Sequence, residues 1–226
     1  MRLSVSLCLL AACSQDPLQD GEEFGRFTQV KSFFTSAMVA ETSEGVVVID
    51  TGFSKTAAPV ERFLEGRGLG LGDVSHVLIT HGHSDHVRGL LAFENATVWA
   101  HEDEVDHVLE EAEEGARVDE TFVDGQVLAL GDLAVEVFHV PGHTPGNVVF
   151  LAEGVLLTGD TAMSYKDGTV GPAPERYADD PSLAQTNLLA LRDRLEARNE
   201  PLESVAFAHS RGLQDPSAFW AMTASD

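Results

Sequence analysis

Thr80-His81-Gly82-His83-Ser84-Asp85-His86 places three imidazoles and a carboxylate within six residues, directly after an apolar run at 74–79. Side chains two residues apart in an extended or turning loop point to the same side, so the first two histidines can hold one metal ion through ring nitrogens. The aspartate and the third histidine can then face a second ion. The stretch therefore predicts a metal centre in a loop at the end of a strand.

Three further candidate ligands lie beyond other apolar runs. His143 comes after Pro141-Gly142, Asp160 after Thr158-Gly159, and His209 after Ala208. A carboxylate such as Asp160 can bridge two cations and neutralise part of their repulsion, while the two histidines complete opposite ends of the site. The predicted metal ligands are therefore His81, His83, Asp85, His86, His143, Asp160 and His209.

The rest of the chain reads as one domain of short strands and single helices. The apolar, β-branched run 46–49 ends at Asp50, as is typical of a buried strand that stops at a polar turn. Asp180 followed by Pro181 predicts the start of a helix that continues to about residue 198. We predict further strands at 74–80, 97–100, 134–140, 148–151, 155–158 and 204–208, and helices at 57–65 and 105–114. We interpret 23–39 and 162–180 as loops that shape a substrate pocket.

The order of these motifs resembles that of the metallo-β-lactamase superfamily. The matching motifs are His-x-His-x-Asp-His at 81–86, Pro-Gly-His-Thr-Pro-Gly at 141–146, Thr-Gly-Asp at 158–160 and Ala-His at 208–209. The resemblance implies an α+β fold, an αββα sandwich in which two mixed β-sheets are flanked by helices. It also implies that Asp50 is a structural aspartate supporting the metal loop. By the same match, the first metal is held by His81, His83 and His143, and the second by Asp85, His86 and His209, with Asp160 bridging.

The expected cofactor is a pair of zinc ions, although the same ligands also accept iron or manganese. Two ions sharing a water lower its pKa from about 15.7 to about 7. We therefore expect a hydrolase in which the bridging hydroxide attacks an ester, thioester, lactone or related bond of a small molecule. Asp85 is the predicted catalytic residue, which orients the hydroxide and accepts its proton.

Several other functions use similar motifs. Asp160 resembles the bridging aspartate of glyoxalase II-like thioesterases and lactonases, whereas β-lactamases of the superfamily typically place another residue there. A β-lactamase, a mononuclear iron persulfide dioxygenase and a tethered metal-binding module without turnover are the alternatives. The 17 residues after His209 are too few for the helical substrate-binding domain of the usual glyoxalase II.

The net charge of the chain restricts the kinds of molecule that it can bind. Thirty-seven acidic residues against 14 basic ones give a net charge of −23, which repels nucleic acid, so a small-molecule substrate is expected.

Tyr165 and Lys166 could reach a substrate but are interpreted as ordinary loop residues. The sequence indicates no oligomeric state. The histidines interpreted as strand-end or helix-surface residues, and not as ligands, are His76, His101, His107 and His139.

The N-terminus resembles that of a bacterial lipoprotein. Arg2 precedes an apolar run at 3–12 that is too short to remain as a membrane-spanning helix, and the run ends at Cys13 as a lipobox does. We predict a signal peptide at 1–12, a tether at 13–23 and the catalytic domain at 24–226. The membrane contact would be a lipid anchor at Cys13, on the periplasmic side. Because Cys8 also lies in this segment, no disulfide framework is expected.

Overall fold

The computed structural model describes residues 15–223, which contain two large β-sheets. The first sheet has seven strands in the order β1-β2-β3-β4-β5-β6-β7. Pairing is antiparallel from β1 to β4 and parallel from β4 to β7, so the sheet is mixed. Its strands are β1 (Glu23–Phe24), β2 (Phe27–Ser32), β3 (Thr35–Thr42), β4 (Gly45–Ile49), β5 (Val74–Leu78), β6 (Thr97–His101) and β7 (Glu120–Phe122).

The second sheet has five strands in the order β14-β11-β10-β9-β8, with β14 parallel to β11 and the other pairs antiparallel. A separate two-stranded pair is formed by β12 and β13. The strands are β8 (Val127–Leu130), β9 (Leu133–His139), β10 (Val148–Ala152), β11 (Val155–Leu157), β12 (Met163–Ser164), β13 (Val170–Gly171) and β14 (Ser204–Ala206).

The described part of the chain also contains five α-helices and four 3₁₀ turns. The helices are α1 (Ala58–Glu65), α2 (Ser84–Val87), α3 (Val105–Glu111), α4 (Pro181–Ala197) and α5 (Ser217–Trp220). The 3₁₀ turns are Leu71–Asp73, Leu90–Ala92, Glu102–Glu104 and Glu175–Tyr177.

Three apolar clusters show how these elements are layered. One cluster lies between the sheets and includes the fully buried rings of Phe27, Phe122 and Phe150. A second joins the first sheet to α1 and α3, and a third joins the second sheet to α4 and α5. Each sheet therefore buries one face against the other sheet and one against helices. The predicted αββα sandwich of two mixed sheets is confirmed.

Helix α4 begins and packs as its sequence predicts. The Asp180 carboxylate accepts a hydrogen bond from the backbone N–H of Leu183 at 2.9 Å, and Pro181 occupies the first turn, where its missing N–H costs nothing. The buried residues recur every three or four positions and form one apolar stripe against the second sheet: Ala184, Leu188, Leu191 and Leu195.

The interpretation of 23–39 as a loop is wrong. The segment contains β1, β2 and the beginning of β3, and only the tight turns at 25–26 and 33–34 are irregular. The strands are hard to recognise because several of their polar side chains are buried and bonded internally. Gln29, for example, donates to the Ser36 hydroxyl at 3.0 Å and to the Phe207 carbonyl at 2.6 Å. Segment 162–180 is irregular apart from β12, β13 and one 3₁₀ turn.

The predicted signal peptide and Cys13 lie outside the described residues. The described part of the predicted tether packs against the domain. Gln15 pairs with Tyr165, Pro17 pairs with Ser210, and Leu18 is buried. Among residues 15–223, no helix combines the length and apolarity that crossing a membrane requires. The lipid anchor and the periplasmic location stay predictions from the sequence.

Candidate metal centre

All seven predicted ligands lie just after strands, in loops or in the short helix α2, at one edge of the sandwich. The loop after β5 carries the motif at 80–86, whose last three residues lie in α2. The loops after β9, β11 and β14 carry His143, Asp160 and His209. Loops that meet at one edge of a rigid scaffold commonly form a functional site.

The first group of side chains consists of His81, His83 and His143. Nε2 of His81 lies 3.0 Å from Nδ1 of His83, and Nε2 of His143 lies 3.2 Å and 3.0 Å from these two atoms. Zinc–nitrogen bonds of about 2.0–2.1 Å in tetrahedral geometry place ligand nitrogens about 3.3 Å apart. The three ring nitrogens therefore fit around one ion.

The second group consists of Asp85, His86 and His209. Nε2 of His209 lies 3.1 Å from Oδ2 of Asp85 and 3.3 Å from Nε2 of His86. Oδ2 of Asp85 is 3.6 Å from Nε2 of His86. These atoms also lie close enough together to ligate a single cation.

Asp160 lies between the two groups and presents one oxygen to each. Its Oδ2 is 3.6 Å from Nε2 of His143 in the first group. Its Oδ1 is 3.2 Å from Nε2 of His209 and 3.5 Å from Nε2 of His86 in the second. The side chain is only 8% exposed, so the carboxylate is enclosed by imidazoles. This arrangement fits a carboxylate that bridges two cations.

Asp50 orients two of the histidines through their Nδ1 atoms, His86 directly and His81 through the Thr80 hydroxyl. Its carboxylate accepts hydrogen bonds from the Thr80 backbone N–H at 2.9 Å, the Thr80 hydroxyl at 2.8 Å and Nδ1 of His86 at 2.8 Å. Because the Thr80 hydroxyl donates to Asp50, it accepts from Nδ1 of His81 at 3.0 Å. Both imidazoles then carry their protons on Nδ1, which leaves the Nε2 lone pairs facing the site.

His209 is oriented by a backbone group that the sequence does not reveal. Its Nδ1 donates to the carbonyl oxygen of Phe34, at the β2–β3 turn, over 2.8 Å. The Phe34 ring stacks on the imidazole with 5.8 Å between centroids and an interplanar angle of 15°. The same turn therefore directs Nε2 of His209 towards Asp85 and Asp160.

Burial and nearby charges divide the histidines into two classes. Burial lowers the pKa of His81 well below its usual value and that of His143 to about 4, so both rings are neutral and offer lone pairs. For His86 and His209, burial also favours the neutral form, but neighbouring carboxylates outweigh it. Asp85 raises the pKa of His86, and Asp160 raises that of His209 to about 10. Bound cations would take the place of these protons.

A third possible cluster contains His101, Asp103 and His139. The two imidazoles lie face to face, with 4.0 Å between centroids and 17° between planes. The in-plane lone pairs of nearly parallel rings do not converge on one point. Nε2 of His139 also donates to the Pro145 carbonyl at 2.8 Å. We therefore keep the interpretation that these histidines are not ligands.

The sequence predicts that Tyr165 is an ordinary loop residue and that His107 is a strand-end or helix-surface residue. The Tyr165 hydroxyl donates to the Pro172 carbonyl at 2.7 Å, so it is held within its own segment. His107 differs from the expected helix-surface residue, because it is only 27% exposed in its side chain and its Nδ1 lies 3.0 Å from Oε1 of Glu104. No pattern in the sequence marks Glu104, whose carboxylate is buried beside the metal loops.

The αββα sandwich, with two groups of histidines and aspartates where its loops converge, places the chain in the class of metallo-hydrolases. Residues 30–202 match the family model described as the metallo-beta-lactamase superfamily, which covers most of the chain. The chain belongs to the metallo-β-lactamase superfamily.

Comparison with individual proteins shows several similar hydrolases. A hydroxyacylglutathione hydrolase from Rhodobacter capsulatus is 34% identical over 128 residues, covering 56% of this chain and 46% of that protein. An atrochrysone carboxyl ACP thioesterase from Claviceps purpurea is 29% identical over 154 residues, covering 66% and 46%. The chain thus spans about half the length of these relatives. A metallo-β-lactamase family protein from Thermus thermophilus has the same fold, with a TM-score of 0.66 at 21% identity over 87% of this chain and 77% of that one.

Proposed function

We propose that this chain is a dinuclear zinc hydrolase that cleaves a thioester, ester or lactone of a small molecule. The observation that carries the proposal is the position of Asp160, which turns one oxygen to each of two groups of three side chains. A carboxylate shared in this way suits two cations a few ångströms apart. The proposed ligands are the seven residues predicted from the sequence.

Zinc bound here would lower the pKa of a water molecule and polarise the carbonyl of the substrate. The chain supplies the proton acceptor. Asp85 is the most exposed of the three carboxylates in the cluster, with 17% of its side chain accessible against 8% for Asp160 and 3% for Asp50. A substrate and a water entering the site can therefore reach Asp85. We propose that its carboxylate orients the attacking water and accepts the proton.

Thioesters are the favoured class among these substrates. The Claviceps relative is named as a thioesterase, and hydroxyacylglutathione, named for the Rhodobacter relative, is itself an acyl thioester. The mouth of the site is apolar on one side. Phe33 and Phe34 are 77% and 54% exposed, and both pack against Phe53 with centroid distances of 6.0 Å and 5.4 Å. Such a wall suits a substrate with an apolar acyl group.

The proposal is tested by elemental analysis of protein purified without chelator, together with a substrate panel. We expect about two zinc ions per chain, as dinuclear hydrolases contain, and turnover of thioesters in a panel that also holds esters, lactones, phosphodiesters and β-lactams. Turnover of β-lactams alone would identify a β-lactamase. A single iron without hydrolysis would favour a persulfide dioxygenase, and bound metal without any turnover would favour a binding module.

The aromatic wall leads to a prediction about substrate preference. Replacing both Phe33 and Phe34 by alanine keeps the Phe34 carbonyl that holds His209 but removes the two rings. Covering a phenyl group contributes about 1.5–3 kcal/mol, so we expect KM for an aryl-acyl or long-chain thioester to rise about tenfold or more. Steady-state kinetics should show a much smaller rise in KM for an acetyl thioester.

Val127→Ala is the matched control for the loss of an exposed apolar side chain, because Val127 is 60% exposed on β8. It should leave both KM values unchanged. Equal losses for acetyl and long-chain thioesters in the double variant would show that the rings support the metal site and do not bind the acyl group.

A further inference from the structure

Glu104 is a buried carboxylate that connects two separate metal loops. It is the last residue of the 3₁₀ turn Glu102–Glu104, immediately before α3, and is only 1% exposed. Its Oε1 accepts the backbone N–H of Gly82 at 2.7 Å. Its Oε2 accepts the backbone N–H of Gly146 at 2.6 Å. One carboxylate therefore holds the loop after β5 and the loop after β9 together.

These two loops supply the whole first group of histidines. Gly82 lies between His81 and His83, and Gly146 is three residues beyond His143. The second group receives only residues from α2 and from the loop after β14. A shift of one loop relative to the other would therefore change the spacing of the first three nitrogens and leave the spacing of His86 and His209 largely unaffected.

The packing around Glu104 leaves no room for the loops to move closer or for larger residues. A Cβ atom added to Gly146 would lie 2.6 Å from Cβ of Glu104, and one added to Gly82 would lie 2.7 Å from Cγ of His107. Both glycines of the motifs are thus explained by the approach of Glu104 and His107. The His107 ring also packs edge-on against His83, with 5.4 Å between centroids.

Glu104 is held in its charged form. Burial alone would raise the pKa of its carboxyl, but hydrogen bonds from His107 and from Gly82 outweigh burial and lower the pKa below its usual value. A carboxylate has acceptor sites on both oxygens and no donor, so it can satisfy Gly82, Gly146 and His107 at the same time.

We infer that Glu104, with His107 as its partner, is a positioning residue that sets the metal affinity of the first group, His81, His83 and His143, and not that of the second. The inference rests on the proposed metal centre. It assigns a role to a side chain that contacts no ligand nitrogen. Residues that position metal ligands commonly change metal affinity by about 10–100-fold when they are replaced.

The test is zinc titration against a competing chelator in chains that keep one group of ligands complete and lack one histidine of the other. The variant His209→Ala retains the first group and His143→Ala retains the second. Adding Glu104→Gln to each places an amide donor opposite a backbone N–H while keeping the size of the side chain. We expect zinc affinity to fall about 10–100-fold in the His209→Ala background and to change less than about threefold in the His143→Ala background.

Glu102→Gln, an exposed change on the same 3₁₀ turn, is the matched control and should alter neither affinity. Should Glu104→Gln fail to fold, His107→Phe keeps a ring beside Gly82 but removes the Nδ1 donor, and we expect a smaller loss confined to the first group. Equal losses in both backgrounds, or no loss in the first, would overturn the inference while the metal centre stands. If the wild-type chain and both single variants fail to bind zinc, the metal centre and the inference fall together.

Discussion

The variant Asp85→Asn is expected to lower the rate of thioester hydrolysis by about 10²–10⁴-fold, the usual loss when a general base is removed. Asparagine has nearly the same shape and keeps one oxygen that can ligate a metal. It cannot accept a proton at neutral pH. Asp85 is the most accessible carboxylate of the cluster, and Asp160 and Asp50 are too buried to replace it readily. The measurement is kcat with zinc in excess, beside the metal content of the purified chain.

Asp103→Asn is the matched control, since Asp103 is 61% exposed and lies outside the two proposed metal groups. Its kcat should equal that of the wild type. The proposed role of Asp85 would be wrong if Asp85→Asn kept its zinc and retained a kcat within about threefold of the wild-type value. A variant that loses all zinc would instead show that Asp85 acts chiefly as a ligand.

The second large effect is expected for Asp50→Asn. Asp50 is 2% exposed and accepts three hydrogen bonds, from the Thr80 N–H, the Thr80 hydroxyl and His86. The asparagine amide keeps one acceptor oxygen. Its NH₂ group is a donor and would face one of these three donors without a hydrogen bond. Breaking a buried charged pair costs about 3–5 kcal/mol, and loss of a group that orients a metal ligand costs about 10–100-fold in metal affinity.

Replacing Asp50 by asparagine removes the charge without straining the backbone. Asp50 has a φ of 58°, in the left-handed region, which asparagine tolerates nearly as well as aspartate. In a chain of this size, a loss of about 3 kcal/mol lowers Tm by about 6–12 °C. Calorimetry of the metal-free chain measures the loss of stability, and zinc titration measures the loss of affinity.

Asp132→Asn provides the comparison for Asp50→Asn, because the Asp132 side chain is 52% exposed and pairs with Arg26 at the surface. Surface pairs contribute about 0–1 kcal/mol, so its Tm should shift by only a few degrees. An Asp50→Asn chain with wild-type Tm and wild-type zinc affinity would show that the Asp50 network does not hold the histidines.

The sequence predicted much of this fold from local chemistry. An apolar, β-branched run followed by a polar turn indicates a buried strand, and the runs at 46–49, 74–80 and 148–151 all became strands. Asp180 and Pro181 indicated the start of α4 because the capping bond and the fixed φ of proline act within one turn of helix. The β2–β3 hairpin was missed because buried polar residues such as Gln29 are satisfied by distant partners.

The candidate ligands were recognisable in the sequence for a related reason. The chain has only 9 histidines, and metal ligands in one loop must follow each other closely, so the motif at 80–86 is visible without any contact information. His143, Asp160 and His209 could be added because each follows the end of a predicted strand. The structure brings all seven residues into one cluster.

The sequence by itself therefore determined many of the strands and helices, the superfamily motifs and which side chains form the cluster, because these depend on residue type and short spacing. The resemblance carried by those motifs implied the layered fold. Only the tertiary structure decided how those side chains are held. The Phe34 carbonyl behind His209 is a backbone atom, and every residue has one, so no sequence pattern marks it. Glu104 looks like any acidic residue of a charged helix until folding brings Gly82 and Gly146 to its two oxygens. Contacts between residues far apart in the chain depend on packing, and packing is a property of the whole fold.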